Sequence, residues 1–312
     1  MSVLICGSYA YDHIMVFPDR FKNHILPDKV HMINVSFLVP QMRREFGGTA
    51  GNIAYNLNAL GEPALPMATV GMDFSAYSHW MQQCGVDERH ITIVDEQYTG
   101  QAFITTDMDD NQITAFHPGA MSESHRNTVG DAQGIVLGIV SPDGRQGMID
   151  HATQFVEAGI PFIFDPGQGM PMFDGNDLTQ FVDQATWVAV NDYESALLSE
   201  RTGLSLEQLA ERVHGLIVTK GGEGSQIYAN GGCIEIPPVA VEAPVDPTGC
   251  GDAYRAGLLF GLRNDLDWET TGRVASLMGA IKIAHAGTQN HALDRAGFEA
   301  RFAETWGYRL AL

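Results

Sequence analysis

The chain opens with a short apolar run, SVLICGS, whose aliphatic and β-branched residues predict a buried first strand ending at Gly7-Ser8. Beyond Asp12 the pattern stays strand-like. HIMVF and VHMINVSFLV read as two strands separated by a Pro- and Asp-containing turn, with no helical periodicity up to about Phe46. GGTAGNIAYNLNALG then sets Ile53, Leu57 and Leu60 at helical spacing, and Gly61 is placed to end that helix. A second strand-only passage, GQAFITTDMDDNQITAFHPG, predicts a hairpin turning at Asp109-Asp110-Asn111. The two strand-only passages are expected to pair into one small lid, formed by insertions at about 13–46 and 98–119.

From residue 134 the pattern becomes regular. GIVLGIVS, IPFIFD, TWVAVN and GLIVTK are strand-like runs that end on Ser141, Asp165, Asn191 and Lys220, 24, 26 and 29 residues apart. That interval is the length of a strand plus a helix, so the expected fold is α/β, one domain over 1–312 with a doubly wound, mostly parallel sheet. In such sheets ligands sit beyond the carboxyl ends of the strands, which is where these polar residues gather.

Composition narrows the function classes. Hydrophobic residues make up 45% and charged residues 18% of the 312 positions, a balance that supports a sizeable core. A formal charge of −20 leaves no basic surface for nucleic acid or an anionic membrane. A small anion can still be held by backbone N–H groups at a helix start. The four cysteines are scattered without a C-x-x-C pair, which favours neither a zinc site nor a disulfide framework and suits a reducing cytoplasm. The opening lacks a basic n-region, so no signal peptide is expected, and no apolar run is long enough for a membrane span. The eleven histidines show no metal-ligand spacing, so no dedicated metal cage is expected.

The densest chemistry lies in DPTGCGDAYRAG, Asp246 to Gly257. An apolar helix follows, so residues 249–252 stand at its first turn, where free N–H groups and the positive end of the dipole converge. Gly249 and Gly251 would let an anion reach the backbone. The spacing is neither that of a P-loop nor G-x-G-x-x-G after the first strand. A carboxylate beside an anion nest has two readings: Asp252 is a helix cap in a glycine-rich turn, or a base that deprotonates a hydroxyl near a transferring phosphate.

This segment closely resembles the C-terminal signature of the ribokinase-like (PfkB) carbohydrate and nucleoside kinases, and GGTAGNIAYNLNALG resembles their N-terminal signature. NDYE, Asn191 to Glu194, matches their N-x-x-E motif, and by itself would also pass as a helix N-terminus with an acidic first turn. Cys250 stands where Ala is commoner. The resemblance covers essentially the whole chain. It implies Asp252 as the base, and the N–H groups of Gly249, Cys250, Gly251 and Asp252 as the anion hole. It implies Asn191 and Glu194 acting on Mg²⁺ through waters, and Thr219, Gly221 and Gly224 around ATP, with Ala284 and Gly287 on the adenine wall. K⁺ near the anion hole, bound by backbone carbonyls, is a further family expectation. Asp12, Gly47, Gly48 and Asn52 would meet the acceptor, Asp12 and Asn52 sharing a vicinal diol.

The acceptor itself is suggested by the lid. Phe37, Phe103 and Phe116, with Met32 and Met42, supply more aromatic and apolar surface than a free sugar needs, and a purine suits such surface. The same faces also suit a lid core. SFLVPQMRREFGG and the stretch from Asp110 to Met121 look most like the bacterial adenosine and nucleoside kinase branch. The resemblance thus implies ATP-dependent phosphorylation of a ribonucleoside 5′-hydroxyl, adenosine first, by a monomer or homodimer. A ribose or fructose kinase is the alternative, and a non-catalytic nucleoside-binding protein the alternative of another class. His117 and Asp165 are secondary: His117 lies in the lid hairpin, and Asp165 either serves the phosphate region or caps DPGQG.

Overall fold

The computed structural model describes residues 1–25, 34–109 and 111–311. In chain order the strands are β1 (Ser2–Cys6), β2 (Ala10–Val16), β3 (Gln41–Gly47), β4 (Ala64–Gly71), β5 (His90–Val94), β6 (Gly100–Thr106), β7 (Gln112–His117), β8 (Ile135–Val140), β9 (Phe162–Phe164), β10 (Trp187–Asn191), β11 (Gly215–Thr219), β12 (Ser225–Ala229) and β13 (Gly232–Ile236). The helices are α1 (Thr49–Ala59), α2 (Ser75–Gln83), α3 (Arg145–Glu157), α4 (Gly175–Gln184), α5 (Asp192–Thr202), α6 (Leu206–Ala210), α7 (Cys250–Arg263), α8 (Trp268–Ile283) and α9 (Arg295–Trp306).

Among the described residues, nine strands form one sheet in the order β13-β12-β11-β10-β9-β8-β1-β4-β5. Every neighbouring pair from β11 to β5 is parallel, and β12–β13 adds an antiparallel edge. Alternation along each strand feeds two cores. Val3 and Ile5 of β1 pack with Ile53, Met81, Phe260, Leu277 and Phe298 from α1, α2, α7, α8 and α9. Leu4 and Cys6 pack with Phe155, Phe181, Leu198 and Leu209 from α3 to α6. Each such side chain taken wholly out of water contributes roughly 1.5–3 kcal/mol, so the two faces hold the sheet between two helical layers. Capping boxes begin α4, α5 and α6, through Asp174 with Asp177, Asn191 with Glu194 and Ser205 with Gln208.

The lid is a second sheet, β3-β2-β6-β7, with β2 and β6 parallel and the outer pairs antiparallel. The two strand-only passages do pair, and the hairpin joins β6 to β7; its central Asp110 lies outside the described residues. The second lid strand differs from the sequence expectation. VHMINVSFLV is not a strand where it is described: residues 34–39 are irregular, and residues 30–33, with Met32, lie outside the described residues. The strand is instead QMRREFG, an exposed edge that hydrophobicity does not mark. Phe37 uses its apolarity elsewhere, packing on Phe17 and Phe21 at ring distances of 4.8 and 5.0 Å.

Strand order reverses between β8 and β1, and the carboxyl ends there open toward the lid and the start of α7. No helix among the described residues is long and apolar enough to cross a membrane.

Candidate active site

Helix α7 begins at Gly249, whose φ of 78° is a left-handed conformation that side-chain-bearing residues rarely adopt. No side chain caps this end. The N–H groups of Gly249, Gly251 and Asp252 have no protein partner among the described residues, whereas that of Cys250 donates to the Pro247 carbonyl at 3.1 Å. A Cβ at residue 251 would meet only Arg255 Nη1, at 3.8 Å, so the backbone there borders open space. The free N–H groups of Gly249, Gly251 and Asp252 form a nest with the geometry to take an anion, and the Cys250 N–H, expected among them from the sequence, is already taken.

Asp252 does not cap the helix. Its Oδ2 accepts a hydrogen bond from Asn52 Nδ2 at 2.8 Å. Burial pushes its carboxyl up to about 7; Asp165 and Asp12 add to that, and the Asn52 bond and Arg255 oppose it. A carboxylate with such proton affinity can take a proton from a hydroxyl near neutral pH. Asn52 is itself 3% exposed and held from behind. Gln289 Nε2 donates to Asn52 Oδ1 at 2.9 Å and to Tyr77 Oη at 2.6 Å, Trp80 Nε1 donates to Gln289 Oε1 at 2.9 Å, and Tyr77 Oη donates to the Gly47 carbonyl at 2.8 Å. With its oxygen taken by Gln289, the Asn52 amide turns its nitrogen to Asp252. Sequence reasoning pairs Asn52 with Asp12 and overlooks Gln289, Trp80 and Tyr77; no motif marks them.

On the lid side, Asp12 projects from β2 over Gly47. A Cβ at residue 47 would lie 2.4 Å from Asp12 Oδ2, so only glycine allows the carboxylate to rest there. Burial, then Glu45 and Asp246, push the Asp12 carboxyl up to about 6. Gly48 follows as the residue before α1. Strand register sets Glu45, Asp12, Ala102 and Phe116 in one row across the lid, on one face. Phe116 is 52% exposed, with only a methyl group between it and Asp12. Phe103 faces the other way and stacks on His13 at 4.7 Å, and Met42 shares that face. His117 also points to that side, opposite Gln101.

Behind α7, Arg255 is buried among acids. Its Nε and Nη2 each lie 3.1 Å from an Asp165 oxygen, Nη2 also donates to the Ala189 carbonyl at 3.1 Å, and Glu194 Oε2 is 3.9 Å away. Asp165 thus anchors Arg255. Asn191 and Glu194 form the capping box of α5: Asn191 Oδ1 accepts the Glu194 N–H at 2.7 Å, and Glu194 Oε2 accepts the Asn191 N–H at 2.8 Å. Burial and then Asp165 push the Glu194 carboxyl up, with Arg255 opposing. Asp165, Glu194 and Asp252 outnumber the one guanidinium, and among the described residues no cluster would cage a metal directly, so Glu194 and Asp165 could face a divalent cation only through water.

These residues line a cleft of about 1040 Å³. Asn191, Thr219, Gly221, Gly224, Gly249, Cys250 and Gly251 border it, and α8 contributes Ser276, Gly279, Ala280 and Ile283. Ala284 and Gly287 lie just off that wall: Ala284 ends α8, and the Gly287 N–H binds the Asp246 carboxylate at 2.9 Å. A larger cleft of about 1310 Å³, beside Trp187, His214 and Trp268, opens at the amino ends of the strands, away from the anion nest.

The profile of the pfkB family of carbohydrate kinases matches residues 9–295. A nucleoside kinase of Methanothermobacter thermautotrophicus is 31% identical, over 98% of this chain and 97% of its own length. The structure of Burkholderia thailandensis nucleoside kinase in complex with inosine superposes with a TM-score of 0.91 at 52% identity, covering 99% of both chains. The ADP-inosine complex of that kinase gives a TM-score of 0.88 at 54% identity, covering 99% of this chain and 97% of the other.

Proposed function

The chain belongs to the pfkB family of carbohydrate kinases, and from that premise we propose that it is an ATP-dependent nucleoside kinase. Its reaction transfers the γ-phosphoryl group of ATP to the 5′-hydroxyl of a purine ribonucleoside, adenosine or inosine. The observation that carries this reading is Asp252: a buried carboxylate with raised proton affinity, set beside unpaired N–H groups at the start of α7. A static phosphate site would gain nothing from a negative charge there. The similarity to a kinase whose structures hold inosine and ADP-inosine supports the same substrate class.

In this mechanism the nucleoside lies under the lid, with its ribose diol against Asp12 and its base toward Phe116. Asp252, aimed by Asn52, takes the proton of the 5′-hydroxyl as that oxygen attacks the γ-phosphorus in line and ADP departs. The N–H groups of Gly249, Gly251 and Asp252 stabilise the charge on the transferring group. ATP lies along Thr219, Gly221 and Gly224 toward Ala280 and Ile283. Glu194, fixed by Asn191, faces the phosphates, where Mg²⁺ bound through water would neutralise their charge. Lid closure excludes water from the transferring group. The four free thiols suit a reducing cytoplasm.

Coupled assays with ATP and Mg²⁺ across adenosine, inosine, pyrimidine nucleosides, ribose and fructose test this reading. Turnover of purine nucleosides well above free sugars is expected. Efficient ribose turnover would replace it with a sugar kinase, and no turnover on any acceptor with a binding protein.

A further inference from the structure

Helix α8 delivers an ammonium group to the back of the anion nest. Lys282, in its last turn, is fully buried. Nζ donates to the Asp246 carbonyl at 2.6 Å and to the His285 carbonyl at 3.3 Å. Asp246 begins the DPTG turn that leads into α7, and its carboxylate pins both strands of the loop, accepting the Thr248 and Gly287 N–H groups at 2.9 Å each. Carbonyls from the two segments that flank the nest therefore converge on one nitrogen.

Converging backbone carbonyls are the ligands a monovalent cation needs, and such a cation is expected of the family. The residues present do not fit it. A free K⁺ on these carbonyls would compete with Nζ for the same oxygens and stand beside a second positive charge in the interior. A lysine that merely closed its own helix end would reach the His285 carbonyl alone, but this one crosses to a residue 36 positions earlier. Facing it are the Asp246 carboxylate, Cys250 and Asp252 from α7, and Arg43 from β3.

We infer that Lys282 Nζ is the built-in monovalent cation of the anion-nest loop, and that the protein requires no added K⁺. The inference rests on the kinase reading for its link to turnover, though the site itself is read from geometry.

Two measurements test it. With the full chain, phosphorylation of the best nucleoside is compared in K⁺, Na⁺ and choline at equal ionic strength. Rates that agree across the three salts are expected, and K⁺ activation by about tenfold overturns the inference. Lys282→Met removes the ammonium without adding a polar group. It should lose at least about tenfold in choline, on the scale of one lost anion-stabilising group, and recover part of that in K⁺. A variant as active in choline as the wild type overturns the inference. The second measurement needs no activity: the ligand-free wild type should melt at the same temperature in K⁺ and choline. Stabilisation by K⁺ alone shows a free-cation site and overturns the inference even if the chain phosphorylates nothing.

Discussion

Asn52 on α1 and Asp252 on α7 stand 200 residues apart in the chain and are joined by a 2.8 Å hydrogen bond from amide to carboxylate. The bond favours the ionised form of Asp252, against the burial that pushes its carboxyl up to about 7. Because the proposed base must be ionised to accept a proton, turnover should rise with pH through the neutral range. Asn52→Leu removes the opposing bond, so the ascending limb should move to higher pH by about 1–2 units, the worth of a hydrogen bond to a charged group. Activity should fall most at pH 6–7 and recover toward pH 9. A kcat profile over that range checks it; a uniform loss at every pH would mean that Asn52 acts on substrate instead.

Asp252→Asn keeps shape and hydrogen-bonding capacity but cannot take the proton. It should lower kcat by roughly 10²–10⁴-fold, the range for a general base. Calorimetric binding of nucleoside and ATP should survive, since the nest and Asp12 remain. Near wild-type turnover would leave Gly-Cys-Gly-Asp as an anion-binding turn and remove the mechanism.

The readable and unreadable parts of this site divide by sequence distance. The glycines and acid of DPTGCGDAYRAG lie within one helical turn of each other, so their convergence follows from local geometry, as does the Asn191–Glu194 pair. Asp12 comes from the family resemblance and Phe116 from the aromatic content of the lid; that they share a face depends on strand register, which the sequence pattern does not carry. Gln289, Trp80 and Tyr77 are different: the fold brings Gln289 to Asn52 from a distant segment, Trp80 and Tyr77 matter only because they hold Gln289, and nothing local marks any of the three. Hydrophobicity also misplaced the second lid strand, because β3 is an edge whose outer residues are charged. Ala280 and Ile283, not Ala284, border the cleft, since α8 buries apolar residues around most of its circumference and its pattern marks no single face.

Arg255 gathers Asp165 and Glu194 behind the nest, and its own removal should be costly. Arg255→Met leaves the Asp165 carboxylate buried without its partner and takes the positive charge away from Glu194, so stability should fall by about 3–5 kcal/mol in urea unfolding. Arg255→Lys keeps the charge but not the paired geometry toward Asp165, and should recover only part of that loss. Combining Arg255→Met with Asp165→Leu should be milder than Arg255→Met alone, because one of the stranded charges is gone. A double variant no more stable than the single one would show that Asp165 is not the principal partner.

The row Asp12–Ala102–Phe116 crosses three lid strands on one face, which separates a carboxylate from an aromatic ring by two strand spacings, about 10 Å. A nucleoside laid along that row would set its diol at one end and its base at the other. Asp12→Ala should therefore weaken ribonucleosides by the roughly 1.5–3 kcal/mol of a charged hydrogen bond, with a smaller effect on 2′-deoxyribonucleosides, which lack one of the hydroxyls it would hold. Phe116→Ala should act on the other end, raising KM for adenosine and inosine while KM for ATP stays unchanged, because Phe116 is not among the residues that line the cleft under α8 proposed for ATP. Its loss should be similar for ribo- and deoxyribonucleosides, since the base is common to both. Steady-state kinetics with all four substrates on both variants separates the two ends. Equal ribo and deoxy losses in Asp12→Ala would move the diol contact elsewhere, and unchanged nucleoside KM in Phe116→Ala would remove the ring from the base pocket.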